Sequence, residues 1–324
     1  PENVMTTFPQ DIPATIPADI RKALQELGTA IEPLATAALY EPLQRTEPYE
    51  GVRVTRDLAY GPDERHRLDV FAPAPTDGHT MPATPRPVLV FVHGGGFVAG
   101  DKRHGDSAFY DNIALWAVGA GCIGINITYR LAPDHPWPAA QEDLAAAIGW
   151  IRAHAAHYAG DPTRIILMGH SAGAAHVALY LAHPRFHAGD GPGVIGAVLV
   201  SGLFDTRTAE MTPPLQAYFG HDSTRYAERS ALPGLVQARV PMLLFCAEIE
   251  GPEFLQQSRL LHDALQAAGQ PTPFYRLLGH THMSEVHAIN SGDTSLTDPL
   301  QAFIMSLAFP GSTITPSSPL SGRS

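Results

Sequence analysis

Gly169-His170-Ser171-Ala172-Gly173 is the stretch that leaves this chain the fewest folds. The run before it, residues 164–168, is short, continuous and apolar, as a buried strand is. The run after it, residues 174–182, is rich in alanine and long enough for a helix. A G-x-S-x-G between a strand and a helix predicts a sharp turn that strains the serine and lifts its hydroxyl clear of the sheet. The flanking glycines are needed because strand and helix pack too closely there for side chains. Ser171 is therefore the candidate nucleophile.

The rest of the chain supplies the sheet such a turn requires. Apolar runs at residues 88–92, 122–129, 165–168, 196–200, 242–246 and 274–278 read as strands. Helical stretches separate most of them, at residues 107–118, 141–157, 172–182, 252–268 and 298–308. Continuous apolar strands alternating with helices predict an α/β, mainly parallel, doubly wound sheet covered on both faces. Right-handed crossovers then bring the C-terminal strand ends to one edge, where sites form. Ahead of this pattern, residues 52–60 and 68–71 read as a strand pair, and residues 72–86 as a Pro-rich connector.

Residues 1–50 are Pro-interrupted and helix-prone, with one helix expected over residues 16–38 on the spacing of Ile20, Leu24, Leu27, Ile31 and Leu34. Preceding every strand-like run, this segment is expected to be extra to the sheet, either a cap over the site or a packed flank. The expected organisation is an N-terminal cap or flank (1–50), a catalytic domain (51–310) and a flexible Ser/Pro/Gly-rich tail (311–324).

Composition removes several function classes. A net charge of −11 without a basic cluster argues against nucleic acid and anionic membrane surfaces as partners. No apolar run approaches the length of a membrane span. No basic region followed by an apolar core opens the chain, and a cytoplasmic location is expected. Cys122 and Cys246 lie in apolar runs and read as buried free thiols. No internal repeat is visible.

Three further stretches carry chemistry. His93-Gly94-Gly95-Gly96-Phe97 follows a strand, and its glycines leave backbone N–H groups free to point into a cavity. Acyl transfer needs such donors where the carbonyl oxygen becomes an anion. Gly95 and Gly96, joined by Ala172 just after the serine, are the candidate oxyanion hole. His93 is expected to brace this loop. A base should follow the last strand, where His280 and His282 are both in reach. Two histidines at this spacing, with no third ligand nearby, are a weak metal signal, and no metal is expected. The acid should follow residues 242–246, where Glu248, Glu250 and Glu253 stand. Glu253, just after Pro252, also suits a helix N-terminus.

Taken with Tyr129-Arg130-Leu131-Ala132-Pro133 and His135-Pro136-Trp137-Pro138-Ala139-Ala140, these motifs resemble the hormone-sensitive-lipase-like esterases of the α/β-hydrolase fold, over residues 52–308. The resemblance implies an acid at Glu250, where this chain has Glu-Gly in place of the family's Asp-Pro, with Glu253 as the alternate. It implies His282, followed by Met283, as the base. It implies that the N-terminal helices cap the acyl pocket, with a second cap piece over residues 205–232. Phe97, Trp137, Tyr218 and Phe219 are candidate pocket walls, core packing being the alternative for each. The implied activity is that of a serine carboxylesterase on short-to-medium acyl or aryl esters, with a small-molecule substrate, no cofactor and room for a homodimer at the last strand. An amide or formamide hydrolase of arylformamidase type is the rival within hydrolases. A non-catalytic ligand receptor on the same scaffold is the rival outside them.

Overall fold

The computed structural model describes residues 9–75, 84–189 and 191–310; the expected tail at 311–324 and most of the Pro-rich connector lie outside them. In chain order the strands are β1 (Gln10–Pro13), β2 (Val52–Ala59), β3 (Arg67–Pro73), β4 (Arg86–Val92), β5 (Ile123–Ile127), β6 (Gly160–His170), β7 (Gly196–Val200), β8 (Met242–Ile249) and β9 (Phe274–Thr281). The helices are α1 (Ala18–Leu27), α2 (Pro33–Tyr40), α3 (Asp111–Gly119), α4 (Ala139–His154), α5 (Ala172–Ala182), α6 (Pro213–Phe219), α7 (Leu232–Ala238), α8 (Pro252–Ala267), α9 (Ser284–His287) and α10 (Thr297–Ala308).

Among the described residues these strands form one sheet in the order β1-β9-β8-β7-β6-β4-β5-β3-β2. Only the β2/β3 and β3/β5 pairings are antiparallel. Successive side chains point to opposite faces and both faces are covered, so the central strands are largely apolar. Val88, Val90 and Val92 of β4 enter one core layer with α4 and α5, while Leu89 and Phe91 enter the other with α1, α3 and α10.

The N-terminal segment departs from expectation twice. It is not extra to the sheet, because β1 pairs in parallel with β9, Gln10 opposite Tyr275 and Pro13 opposite Leu278. A two-pronged Arg276–Asp11 contact, 2.8 Å in each arm, pins the pair. Four residues with one large apolar side chain carry no strand period; pairing with β9 creates the strand. The last strand is thus not a free edge for a dimer. Second, the single helix expected over residues 16–38 is two helices. Gly28, at φ 62°, donates its N–H to Leu24 O and ends α1, and Pro33 opens α2. The break turns Ile31 and Leu34 out to 50% and 83% exposure, off the face that Ile20 and Leu24 bury.

Candidate active site

Every candidate group stands at the C-terminal edge of the sheet. Ser171 follows β6 and caps α5 at φ 56°, ψ −122°, a conformation costly for a residue with a side chain. Its N–H donates to Val200 O at 2.9 Å, which holds the turn against β7. The flanking glycines are obligatory. A Cβ on Gly169 would lie 2.4 Å from Gly173 O, and one on Gly173 would lie 2.1 Å from Val92 O. Ser171 lines a cavity of about 570 Å³ together with Gly94, Gly95, Gly96, Ala172 and His282.

The glycine loop after β4 comes within van der Waals reach of the serine: a Cβ on Gly94 would stand 3.0 Å from Ser171 Cβ. Gly95 and Gly96 take φ 126° and 60°, and Gly95 O accepts from Ala99 N at 3.0 Å. The N–H groups of Gly95, Gly96 and Ala172 carry no hydrogen bond among the described residues. His93 braces this loop from beneath. It is fully buried, donates through Nδ1 to Gly94 O at 2.6 Å and stacks on Tyr129 at 4.4 Å. Tyr129 in turn donates its hydroxyl to His93 O at 2.7 Å. Burial lowers His93 to about 3, so it stays neutral.

The two histidines separate cleanly. His282 Nδ1 donates to Glu250 Oε2 at 2.8 Å, and its Nε2 has no partner. His280 spends both nitrogens elsewhere, Nδ1 with Ser284 Oγ at 3.0 Å and Nε2 with Asp293 Oδ2 and Ser295 Oγ at 3.1 Å. His280 does not line the cavity. Phe254 stacks on the His282 ring at 4.2 Å, and His170 Nε2 donates to His282 O at 2.8 Å. Burial lowers His282 to about 3, leaving a neutral imidazole.

The three glutamates also separate. Glu250 Oε1 accepts from Ala247 N at 2.9 Å and Ser201 Oγ at 3.0 Å, so three donors converge on one buried carboxyl. Burial pushes it up to about 8 while the Ser201 and Ala247 bonds pull it down. Glu253 lines the cavity and accepts from Gln257 Nε2 at 3.0 Å. Glu248 accepts from Gly279 N at 2.7 Å.

The expected pocket walls fare unequally. Phe97 lines the cavity; Trp137, Tyr218 and Phe219 do not. Tyr218 and Phe219 form the layer behind Phe97, with ring centroids 5.0 and 5.3 Å from it, and Trp137 packs against His183 and Phe186. The remaining wall comes from positions the sequence did not single out as walls, among them Ile31, Pro33, Leu203, Leu215, Phe254 and Met283. Ser201 was also missed, though its signal was legible: like Ser171, it follows a buried strand directly at the site edge.

One group among the described residues, His170, His282 and Glu285, brings ligand atoms within 4.8 Å of one another, close enough for a metal ion. His170 Nε2 and His282 Nδ1 are already bonded to His282 O and Glu250, while the other nitrogen of each ring has no partner. No helix among the described residues is long and apolar enough to cross a membrane.

Comparison with known proteins agrees with this geometry. Residues 89–285 match a family described as alpha/beta hydrolase fold. Carboxylesterase NlhH of Mycobacterium tuberculosis is 34% identical over 172 residues, 52% of this chain and 46% of its own length. Tuliposide A-converting enzyme b1 of Tulipa gesneriana is 34% identical over 127 residues, 37% of this chain and 33% of its own length. The chain thus spans less than half the length of these curated relatives. The structure of esterase B from Lactobacillus rhamnosis superposes with a TM-score of 0.67 at 17% identity, over 90% of this chain and 94% of that one. The elbow, the glycine loop and the match over residues 89–285 lead to one assignment: the chain belongs to the alpha/beta-hydrolase fold family, in its hormone-sensitive-lipase-like class.

Proposed function

We propose that the chain is a serine carboxylesterase acting on short-to-medium acyl or aryl esters. The observation that carries this reading is the polarised imidazole of His282. One nitrogen is bound to Glu250, and the other is unpartnered beside a cavity that also holds Ser171 and the glycine loop.

In this reading the unpartnered Nε2 takes the Ser171 proton as Oγ attacks the ester carbonyl. Glu250 keeps the proton of the resting ring on Nδ1, which leaves Nε2 the lone pair a base needs, and it balances the imidazolium that forms. The N–H groups of Gly95, Gly96 and Ala172 receive the oxyanion; one such donor is worth about 3–4 kcal/mol. His282 then protonates the departing alcohol, and water attacks the acyl-serine by the same route.

The cavity supports the substrate class. Its volume, about 570 Å³, suits a small organic ester, and its wall is mainly apolar. Its acidic members are Glu210 and Glu253, and no Lys or Arg lines it among the described residues, which disfavours anionic esters. Ile31, from the turn between α1 and α2, and Pro33, the first residue of α2, reach this wall, which supports the N-terminal segment as part of a cap. Relatives bearing esterase names on this fold support the ester over the amide.

The test is hydrolysis of p-nitrophenyl butyrate, with an N-formyl anilide in parallel, by the native chain and Ser171→Ala. Ester turnover should exceed amide turnover, and the variant should fall to background. Retention of most activity by Ser171→Ala refutes the nucleophile. Faster anilide cleavage makes the chain an amidase.

A further inference from the structure

The wall of the cavity holds negative charge that the protein does not answer. Glu210 and Glu253 interrupt an otherwise mainly apolar lining, with no Lys or Arg beside them in the wall. Neither makes an ion pair among the described residues.

Glu253 is held in place. It stands in the first turn of α8, half-buried, and its holder is Gln257, fully buried one turn further on. Gln257 Oε1 accepts from Phe204 N at 3.0 Å and from Asp205 N at 2.8 Å, which locks the amide against the segment after β7. Its Nε2 donates to Glu253 Oε1 at 3.0 Å. Glu253 Oε2 has no hydrogen bond among the described residues. The arginine of that segment, Arg207, is spent on Asp205, Nε to Oδ1 at 2.8 Å and Nη2 to Oδ2 at 2.7 Å. Burial holds the wall histidines, His104, His170 and His282, below their ordinary values, so they add no positive charge at pH 7.

A carboxylate among apolar side chains attracts a cation more strongly than it would in open water, because a seated substrate displaces the screening solvent. The rings of Phe254 and Tyr110 in the same wall add faces that an ammonium group can approach. Phe254 follows Glu253 directly and stacks on His282 at 4.2 Å, so this charge sits one residue from a side chain touching the proposed base.

We propose that Glu253 is a specificity-determining residue: through its unbonded Oε2 it selects esters that carry an ammonium group over neutral esters of the same shape. The proposal rests on the esterase reading and narrows its substrate class. Glu210 is exposed and has no neighbour fixing its side chain, so it strengthens the field without setting the selection.

The experiment compares kcat/KM at pH 7 and low salt for two isosteric pairs. Dimethylaminoethyl butyrate against isopentyl butyrate puts the cation in the alcohol, and butyl ε-aminocaproate against butyl heptanoate puts it in the acyl chain. The ammonium group alters the intrinsic reactivity of the ester, so the quantity read is the change in the cationic-to-neutral ratio between proteins. Fluorophosphonate labelling of Ser171 and native turnover of the neutral esters come first, so a failure of the esterase reading appears there. Glu253→Gln, which still accepts from Gln257, should lower the ratio about tenfold in one pair, mostly through KM. Glu253→Asp, keeping the charge, should recover most of that loss. Glu210→Gln should lower the ratio by no more than about threefold. Glu64→Gln removes the same charge from an exposed site outside the cavity and should leave the ratio unchanged. About 0.5 M sodium chloride should shrink the native ratio. A Glu253→Gln ratio within about twofold of native in both pairs overturns the proposal. So does a larger loss from Glu210→Gln, or an equal one from Glu64→Gln, since the selection would then lie elsewhere or in net charge alone.

Discussion

Glu250→Gln has an outcome fixed by the donors around the side chain. Ala247 N and Ser201 Oγ both approach Oε1, at 2.9 and 3.0 Å. The backbone N–H can only donate, so the amide oxygen of the glutamine must take that place. Turning the amide over would set donor against donor and strand a buried N–H at about 1–3 kcal/mol. The NH₂ therefore lands where Oε2 stood, 2.8 Å from His282 Nδ1. A donor there demands a lone pair on Nδ1, so the ring proton moves to Nε2. His282 then presents an N–H to Ser171 and cannot take its proton. The imidazolium also loses its counter-charge. The expected loss is about 10⁴-fold in kcat, about 5.4 kcal/mol of transition-state stabilisation. Glu250 does not line the cavity, so KM should stay within about twofold of native. Melting temperature should hold, since the amide is isosteric and replaces a buried acid. Steady-state hydrolysis of p-nitrophenyl butyrate measures the first two and circular dichroism the third. Glu250→Asp, keeping the charge but retreating one methylene, should lose only about 10–100-fold. A glutamine variant within about tenfold of native, or a loss confined to KM, refutes the tautomer argument.

Three more outcomes follow from the same contacts. Burial keeps His93, His170, His176, His282 and His287 neutral, well below their ordinary values, so below about pH 6.5 the unfolded chain gains protons that the folded chain refuses. Glu250 and Glu285, raised by burial, act in the opposite sense and stabilise the fold as pH falls toward the ordinary carboxylate range. The histidines outnumber the carboxyls, so the fold should lose stability as pH falls from about 6.5 to 4.5; melting temperatures unchanged from pH 7 to 5 would refute this. Gly173→Ala drives a Cβ to 2.1 Å from Val92 O and should lower the melting temperature by about 10 °C or prevent folding, whereas Gly149→Ala, with nothing within 4 Å, should be neutral or slightly stabilising. Gln44→Ala removes donors to His287 O and Ile289 O, each at 3.0 Å, from the turn after His282; kcat should fall several-fold with little change in KM, and a raised KM with kcat kept would place Gln44 at the substrate instead.

Much of the fold was legible because its signals are local. The central strands are mostly apolar because both faces are covered, so six strands could be read one by one. β1 could not, because Gln10–Pro13 becomes a strand only when β9 offers its edge. The helix over residues 16–38 was read on spacing alone, while Gly28 and Pro33 carried the break. His280 and His282 looked alike in the sequence. Asp293 and Ser295, more than ten residues downstream, occupy one, and Glu250, from the end of β8, meets the other. Tyr218 and Phe219 looked like pocket walls because they are large and lie in the expected cap segment, yet Phe97 stands between them and the cavity.

The sequence by itself determined the sheet, its site edge and the strained serine at Gly169–Gly173, because each follows from the chemistry of a few adjacent residues. Only the tertiary structure decided which glutamate meets which histidine, which aromatics face the cavity, and that Ser201 backs the acid. Those pairings join residues tens of positions apart, and the free energy that selects them, burial of a polar atom with or without a partner, exists only once the layers have closed.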